Sequence, residues 1–430
     1  MSQIDLQPVK GTRDVYPEDM RIRQWLFGQW REVARSFGYE EYDACVLEHA
    51  ELYIRKAGDE ITGQLYDFRD KGDRHLSLRP ELTPSFARMV MAKGSALPLP
   101  ARWFALPQCF RYEDTQKGRK REHYQWNMDV VGLASVAAEA ELMAAQAEFC
   151  RRTGLKLDGS EPEVVWRVSN RQVLGHFLAA MGIDGDQFAA VCVVIDKRDK
   201  IGDAATLVDL AKVGIDGERG ASILRLLDVR GLDALAQQVP ADNPGFLALT
   251  ELMALLEGWG IANLVRIDLS VIRGLSYYTG TVWEVFAQVG TIRRAIAGGG
   301  RYDNLCAQLG GTAMPMVGFG FGDVVITELL DELGRLPVLG KGIDAVVFPM
   351  SAKEFPVANR IAASLRRSGK RIVVDYSGRR FKNAIERAEQ DGAKHLYILG
   401  GNEVKDGVVV ERTLGAERIE RKVPLTEYLS

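Results

Sequence analysis

The sequence predicts an α+β protein: a mainly antiparallel sheet with flanking helices, followed by a smaller α/β unit. Three stretches carry that reading. Residues 102 to 132 run as strand, charged loop, strand, the pattern of a hairpin with a long tip. From NLVRIDLS onward the main unit alternates strands with short helices, and its hairpins imply antiparallel pairing. After the breaker-rich GRLPVLGKG (334–342), strand and helix alternate in the way of parallel βαβ units. At 430 residues and 47% hydrophobic, the chain can bury a large core and is long enough for two or three domains.

The elements follow in order. PEDMRIRQWLFGQWREVARSFG is an amphipathic helix with Ile22, Leu26, Trp30, Val33 and Phe37 on one stripe. Glu18 and Asp19 suit its first turn, and Gly38 stops it. LRPELTPSFARMVMAKG opens a second helix, with Thr83 placed to cap and Pro84 at the first helical position, which leaves Arg79 and Glu81 at its mouth. RWFALPQCFRYED and HYQWNMDVVG are the hairpin strands, joined by TQKGRKRE. A helix runs from about Ser135 to Arg152, and 161–259 reads as a helical insertion between 1–160 and 260–333. In the last unit, 341–430, IDAVVFPM, KRIVVDY, AKHLYILGG and VVVERTL are strands, with KEFPVANRIAASLRRSG and RRFKNAIERAEQDG as helices between the first three.

Composition excludes several functions. A formal charge of −3 gives no global pull toward nucleic acid or anionic membrane, so such contacts need local patches. The five cysteines are scattered without a CxxC pair and the five histidines are dispersed, so no protein-bound metal site and no disulfide framework is expected. MSQIDLQPVKGTRD has no apolar export core and no stretch reaches about 20 apolar residues, so a cytoplasmic protein with no membrane contact is expected.

The nucleotide fingerprints are missing. There is no G-x-x-x-x-G-K-[ST], and GFGFGD (318–323) has the wrong spacing for G-x-G-x-x-G, so any triphosphate must be held by arginines. Arg111 and Glu113 in FRYED are two apart on a strand and therefore share a face, as do Gln125, Asn127 and Asp129 on the returning strand. The hairpin thus acquires a polar inner surface suited to a charged small molecule. In IRGLSYYTGTVWE, Arg273 precedes the bend-prone Gly274, and Tyr277 and Tyr278 point to opposite faces if extended. AGGGRYDNL adds glycines that permit close backbone approach. Two basic patches remain: QKGRKRE (116–122), and 366–382, where seven Lys or Arg face a single acid, Asp375, beside Tyr376 and Phe381. Clustered bases beside aromatics suit nucleic acid.

Together VKGTRDVYPED, LRPELTP, FRYEDTQKGRKREHYQ, RGLSYYTGTVWE and GGGRYDNL resemble the histidyl-tRNA synthetases, of the class II aminoacyl-tRNA synthetases. The resemblance implies a six-stranded antiparallel catalytic sheet, a homodimer, a C-terminal anticodon-reading domain, and ATP with Mg²⁺, L-histidine and tRNA(His) as substrates. It implies that Glu81, Leu82, Thr83, Arg111, Gln125, Asp129, Arg273, Tyr277 and Tyr278 bind histidine. Arg111, Glu113 and Arg273 would bind ATP, with Arg273 and Arg111 at the α-phosphate as the catalytic pair, and Gln116, Arg119, Arg121, Arg379 and Arg380 would meet tRNA. Departures are Val324 after GFGFGD, where the family motif G-x-E-R carries an arginine; Asp129 for Glu; Ser276 for an acid; and Cys45 for Pro. Regulatory paralogues of ATP phosphoribosyltransferase lack the anticodon domain, whereas about 90 residues follow Gly340 here.

Overall fold

A computed structural model describes residues 4–54, 62–271, 277–415 and 418–428, less the side chains of 196, 199 and 200. The chain divides into two compact units, Met1–Leu336 and Pro337–Ser430. In the first, α1 (Pro17–Ser36), β1 (Glu40–Glu41), β2 (Leu47–His49), α2 (Glu51–Ile54), β3 (Tyr66–Arg69), β4 (His75–Leu78), α3 (Thr83–Lys93), β5 (Ala101–Ala105), β6 (Gln108–Phe110), β7 (Glu122–Val131) and α4 (Ala137–Arg152) come first. Then follow β8 (Val164–Asn170), α5 (Arg171–Ala180), α6 (Gly185–Asp196), α7 (Arg198–Lys212), α8 (Gly217–Leu227), α9 (Leu232–Ala236), α10 (Pro244–Gly258) and β9 (Val265–Ile267). The unit closes with β10 (Thr281–Ala287), β11 (Ala295–Arg301), α11 (Leu305–Gln308), β12 (Met316–Gly322) and α12 (Asp323–Glu332).

The main sheet has the order β1-β5-β7-β12-β11-β10-β8-β9, with β6 paired to β7 beyond the end of β5. From β5 to β8 every pairing is antiparallel, a run of six strands. The short edge strands β1 and β9 pair in parallel with β5 and β8. Within the span expected to be a helical insertion, 161–259, residues 164–170 form β8 of the sheet rather than helix. VVWRVSN is buried almost throughout, and a short apolar run of that kind has no period that separates strand from buried helix.

One face of this sheet is core. Antiparallel partners share a face, so Trp126 and Met128 of β7 lie with Phe319 and Phe321 of β12, all at most 2% exposed. Trp126 meets Phe319 edge-on at 5.0 Å and stacks on Trp30 of α1 at 6.1 Å. Helix α1 forms as its sequence requires: Pro17 opens it, Glu18 and Asp19 complement its N-terminal dipole, and Leu26, Phe27, Trp30, Val33 and Ala34 are buried. Gln146 of α4 accepts from both Trp166 Nε1 and Trp283 Nε1, at 2.9 and 3.0 Å, which satisfies two indoles within the core. The opposite face carries Gln125, Asn127 and Asp129.

The second unit has β13 (Ala345–Pro349), α13 (Phe355–Arg367), β14 (Ile372–Val374), α14 (Phe381–Gln390), β15 (His395–Leu399), α15 (Gly401–Lys405), β16 (Val408–Thr413) and β17 (Glu420–Pro424). The sheet order is β14-β13-β15-β16-β17, parallel among the first three and antiparallel after. Alternation along β13 and β15 makes two cores: Val347 and Leu399 pack with Ile361 and Leu365 of α13, while Phe348 and Leu396 pack with Ala384 and Ala388 of α14. Among the described residues no helix is long and apolar enough to cross a membrane.

Candidate active site

The polar face of the main sheet is floored by glycine. Gly298 and Gly300 of β11 pair with Gly320 and Gly318 of β12, and those in turn lie opposite Asn127 and Asp129 of β7, with Gly322 opposite Gln125. The alternation in GFGFG therefore has two purposes: its phenylalanines enter the core, and its glycines keep the other face bare. A Cβ on Gly318 would lie far inside contact distance of Asp129 Oδ1, and one on Gly300 would lie 2.7 Å from the Tyr278 ring. Gln125, Asn127 and Asp129 do share this face, as their spacing requires.

A buried box of acids and aromatics stands at one side of the floor. Tyr277 is 4% exposed and donates its hydroxyl to Glu81 Oε2 at 2.8 Å. Burial first, then Glu81, holds the Tyr277 phenol well above its ordinary pKa, so it stays a donor. Tyr302 donates to Asp129 Oδ1 and meets the Tyr277 ring edge-on at 5.9 Å. Burial pushes the Asp129 carboxyl up to about 7, against the lowering effect of the Tyr302 hydrogen bond. Two sequence expectations are corrected here. Tyr277 and Tyr278 do not face apart: their rings are 5.0 Å apart in one cluster, because Tyr277 lies in a turn and β10 starts only at Thr281. Thr83 does not cap α3 either; Leu82, fully buried, occupies the cap position without a side-chain bond, and the Thr83 hydroxyl reaches Tyr277.

A cationic cleft of about 530 Å³ lies beside the same floor, lined by Arg111, Glu113, His123, Gln125, Glu284 and Arg294 together with Gly298, Gly320 and Gly322. Arg111 and Glu113 are not on a strand, since β6 ends at Phe110, yet they converge, with Nη1 4.0 Å from Oε1. Arg111 Nε donates to Pro80 O at 2.9 Å, which ties the hairpin to the loop that carries Glu81. Glu113 also pairs with Arg119 Nε at 2.6 Å. His123, at the start of β7, is pushed down to about 3 by burial and by Arg111 and Arg13, so it is neutral. Arg273 lies outside the described residues.

The hairpin tip closes in a tight turn: Gln116 and Arg119 exchange backbone hydrogen bonds around Lys117 and Gly118, whose φ of 75° suits glycine. Gln116 is exposed and Arg119 half-buried, while Arg121 is engaged, its guanidinium 3.8 Å over Tyr112 and donating to Glu113 O. Of the C-terminal pair, Arg379 is bound to Asp375 at 3.1 Å and to Ser377, whereas Arg380 is exposed. Tyr376 is exposed, but Phe381 is not, being packed into the α14 core beneath Arg412.

Sequence reasoning missed two supports. Arg13 binds Asp323 at 2.5 Å, and Asp323 Oδ1 accepts from Tyr124 N at 2.8 Å, which locks the N-terminal segment and α12 to β7. Arg301, whose role the motif leaves open, is structural: it grips Glu139 of α4 with Nε and Nη2 at 2.7 and 2.6 Å, both groups buried. No local pattern reveals partners 310 and 162 residues apart. A larger hollow of about 1030 Å³, lined by Arg167, Arg230, Arg266 and Asp268 among others, shares no residue with the cleft and none of this chemistry.

A six-stranded antiparallel run with flanking helices and a glycine-floored polar face is the fold of a class II aminoacyl-tRNA synthetase. Residues 11–322 match the histidyl-tRNA synthetase family and residues 344–430 the anticodon binding domain. The chain belongs to the histidyl-tRNA synthetase family. It is similar to a chloroplastic/mitochondrial histidine–tRNA ligase of Arabidopsis thaliana, 43% identical over 96% of this chain and 84% of that one. A histidine–tRNA ligase of Opitutus terrae is 38% identical over 97% of this chain and 96% of its own length. In fold it resembles the crystal structure of histidyl-tRNA synthetase from Nostoc sp. PCC 7120, with TM-score 0.79 and 24% identity, over 98% of this chain and 97% of that one.

Proposed function

We propose that this chain is a histidine–tRNA ligase: it activates L-histidine with ATP to histidyl-adenylate and pyrophosphate, then transfers histidine to the 3′ end of tRNA(His). The observation that carries this reading is the juxtaposition, over one bare glycine floor, of a buried acid-lined aromatic box and a cationic cleft. The box suits a cationic amino acid with a flat ring; the cleft suits a polyphosphate.

Glu81 and Asp129 take the ammonium and imidazole groups, Gln125 contacts the same substrate, Tyr277 and Tyr278 bound the ring, and Leu82 and Thr83 shape the wall. Arg111 and Arg273 hold the α-phosphate, and Glu113 the adenine side. A histidine carboxylate oxygen attacks the α-phosphorus as the bond to the β-phosphate breaks, and pyrophosphate leaves with that electron pair. The two guanidiniums offset the charge that grows on the phosphoryl oxygens. A hydroxyl of the terminal adenosine then attacks the acyl carbon and AMP departs. Magnesium enters as part of the ATP substrate. Gln116, Arg119 and Arg121 would meet the acceptor end, and Arg379 and Arg380 the anticodon stem, in a cytoplasmic homodimer. The match of 344–430 to an anticodon-binding family favours the ligase over a regulatory paralogue.

Pyrophosphate exchange into ATP tests the assignment. Histidine alone should support it, and Arg273→Ala should lower the rate about 10²- to 10³-fold, the typical effect of losing one preorganised donor. Exchange driven equally by another amino acid, or by none, contradicts the reading.

A further inference from the structure

The cleft contains an arginine that forms no ion pair among the described residues. Arg111 and Arg119 each have an oxygen partner, Pro80 O and the Glu113 carboxylate respectively. Arg294, just ahead of β11, lines the same cleft, and its Cδ comes within 3.6 Å of where a Gly118 Cβ would stand, so its stem lies against the hairpin tip. Among the described residues its guanidinium makes no hydrogen bond and no ion pair. Burial first, then repulsion from Arg119, draws it below the ordinary arginine range, and Glu113, which opposes this, is already committed to Arg119. Glu328 Oε2, also near Gly118, is buried without a hydrogen-bond partner and forms no ion pair with Arg294.

A guanidinium keeps its charge at neutral pH, so a part-buried one beside a second arginine, with no ion pair of its own among the described residues, is placed to grip an arriving anion. The neighbouring helix start supplies no cation: Val324 and Val325 line the cleft, and Asp323 is turned to Arg13 and Tyr124 N. We infer that Arg294 grips the β- and γ-phosphates of ATP, from the end of the cleft formed by the hairpin tip and the first turn of α12. This rests on the proposed ligase reading and adds the residue that holds the part of ATP that leaves. Arg111 and Arg273 serve the phosphorus that reacts; Arg294 orients the leaving group without touching histidine.

Full-length protein decides it in two measurements. In histidine-dependent pyrophosphate exchange, Arg294→Ala should raise the KM for ATP about 10- to 100-fold, the range expected for one charge-assisted hydrogen bond, while the KM for histidine stays within about twofold. Arg294→Lys should recover part of the loss. In thermal unfolding without histidine, ATP should stabilise the wild type more than AMP does, and Arg294→Gln, which retains most of the side-chain stem, should erase that difference. An unchanged KM for ATP in Arg294→Ala, or an ATP-over-AMP difference that survives in Arg294→Gln, overturns the inference. Wild-type protein that shows no histidine-dependent exchange defeats the ligase reading itself, a separate outcome.

Discussion

Asp129 is a carboxylate held away from water, 2% exposed, with its apparent pKa near 7. Between the unfolded value near 4 and that folded value, the native state holds a proton that the unfolded state has lost, so stability falls as pH rises. The slope is at most about 1.4 kcal/mol per pH unit for one group. Asp129→Asn removes this dependence. Urea unfolding at intervals from about pH 4.5 to 7.5 should show the wild type losing stability relative to the variant as pH rises, and a constant difference would refute the burial argument. A cationic substrate would offset the cost of charging this buried acid. That Asp129 lies on a polar face was legible, because alternation along HYQWNMDVVG is local. Its titration was not, since the burial that raises it is built by distant segments, with Tyr302, 173 residues away, acting in the opposite direction.

Strands β11 and β12 are where one glycine differs from the next. Gly299 turns toward the core, and a methyl there would come 2.4 Å from Trp283 and 2.5 Å from Gly318 O. Gly299→Ala should therefore destabilise by about 1–3 kcal/mol, read as an earlier urea midpoint. Gly320 faces the cleft, where the nearest atom to a new methyl is Gln125 Oε1 at 3.3 Å. Gly320→Ala should fold with unchanged or slightly higher stability, yet raise the KM of a substrate in exchange assays about tenfold as the methyl fills the floor. Loss of folding in Gly320→Ala with full activity in Gly299→Ala would invert the assignment of faces. The composition of AGGGRYDNL and GFGFGD was plain in the sequence, and so was their capacity for close backbone approach. Their division between core and floor was not, because it depends on the register of β11 against β12 and β10.

Across the whole chain, a formal charge of −3 hides two basic surfaces that lie far apart in sequence, the hairpin tip and residues 366–382. Reversing Arg379 and Arg380 to Glu should weaken tRNA binding and reduce its salt dependence by about one to two units of log K per log salt, with histidine activation unchanged. Filter binding over a salt series, run beside pyrophosphate exchange, measures both; loss of exchange to the same degree would remove the separation of roles. Much of this architecture was legible in advance. Helix α1, the hairpin and the C-terminal alternation all follow from periodicity and turn chemistry, which act between near neighbours. The capture of β8 by the sheet, the Arg13–Asp323 and Arg301–Glu139 ties and the isolation of Arg294 do not. Each depends on chain segments brought together by burial of the common core, and no short window of residues contains that information.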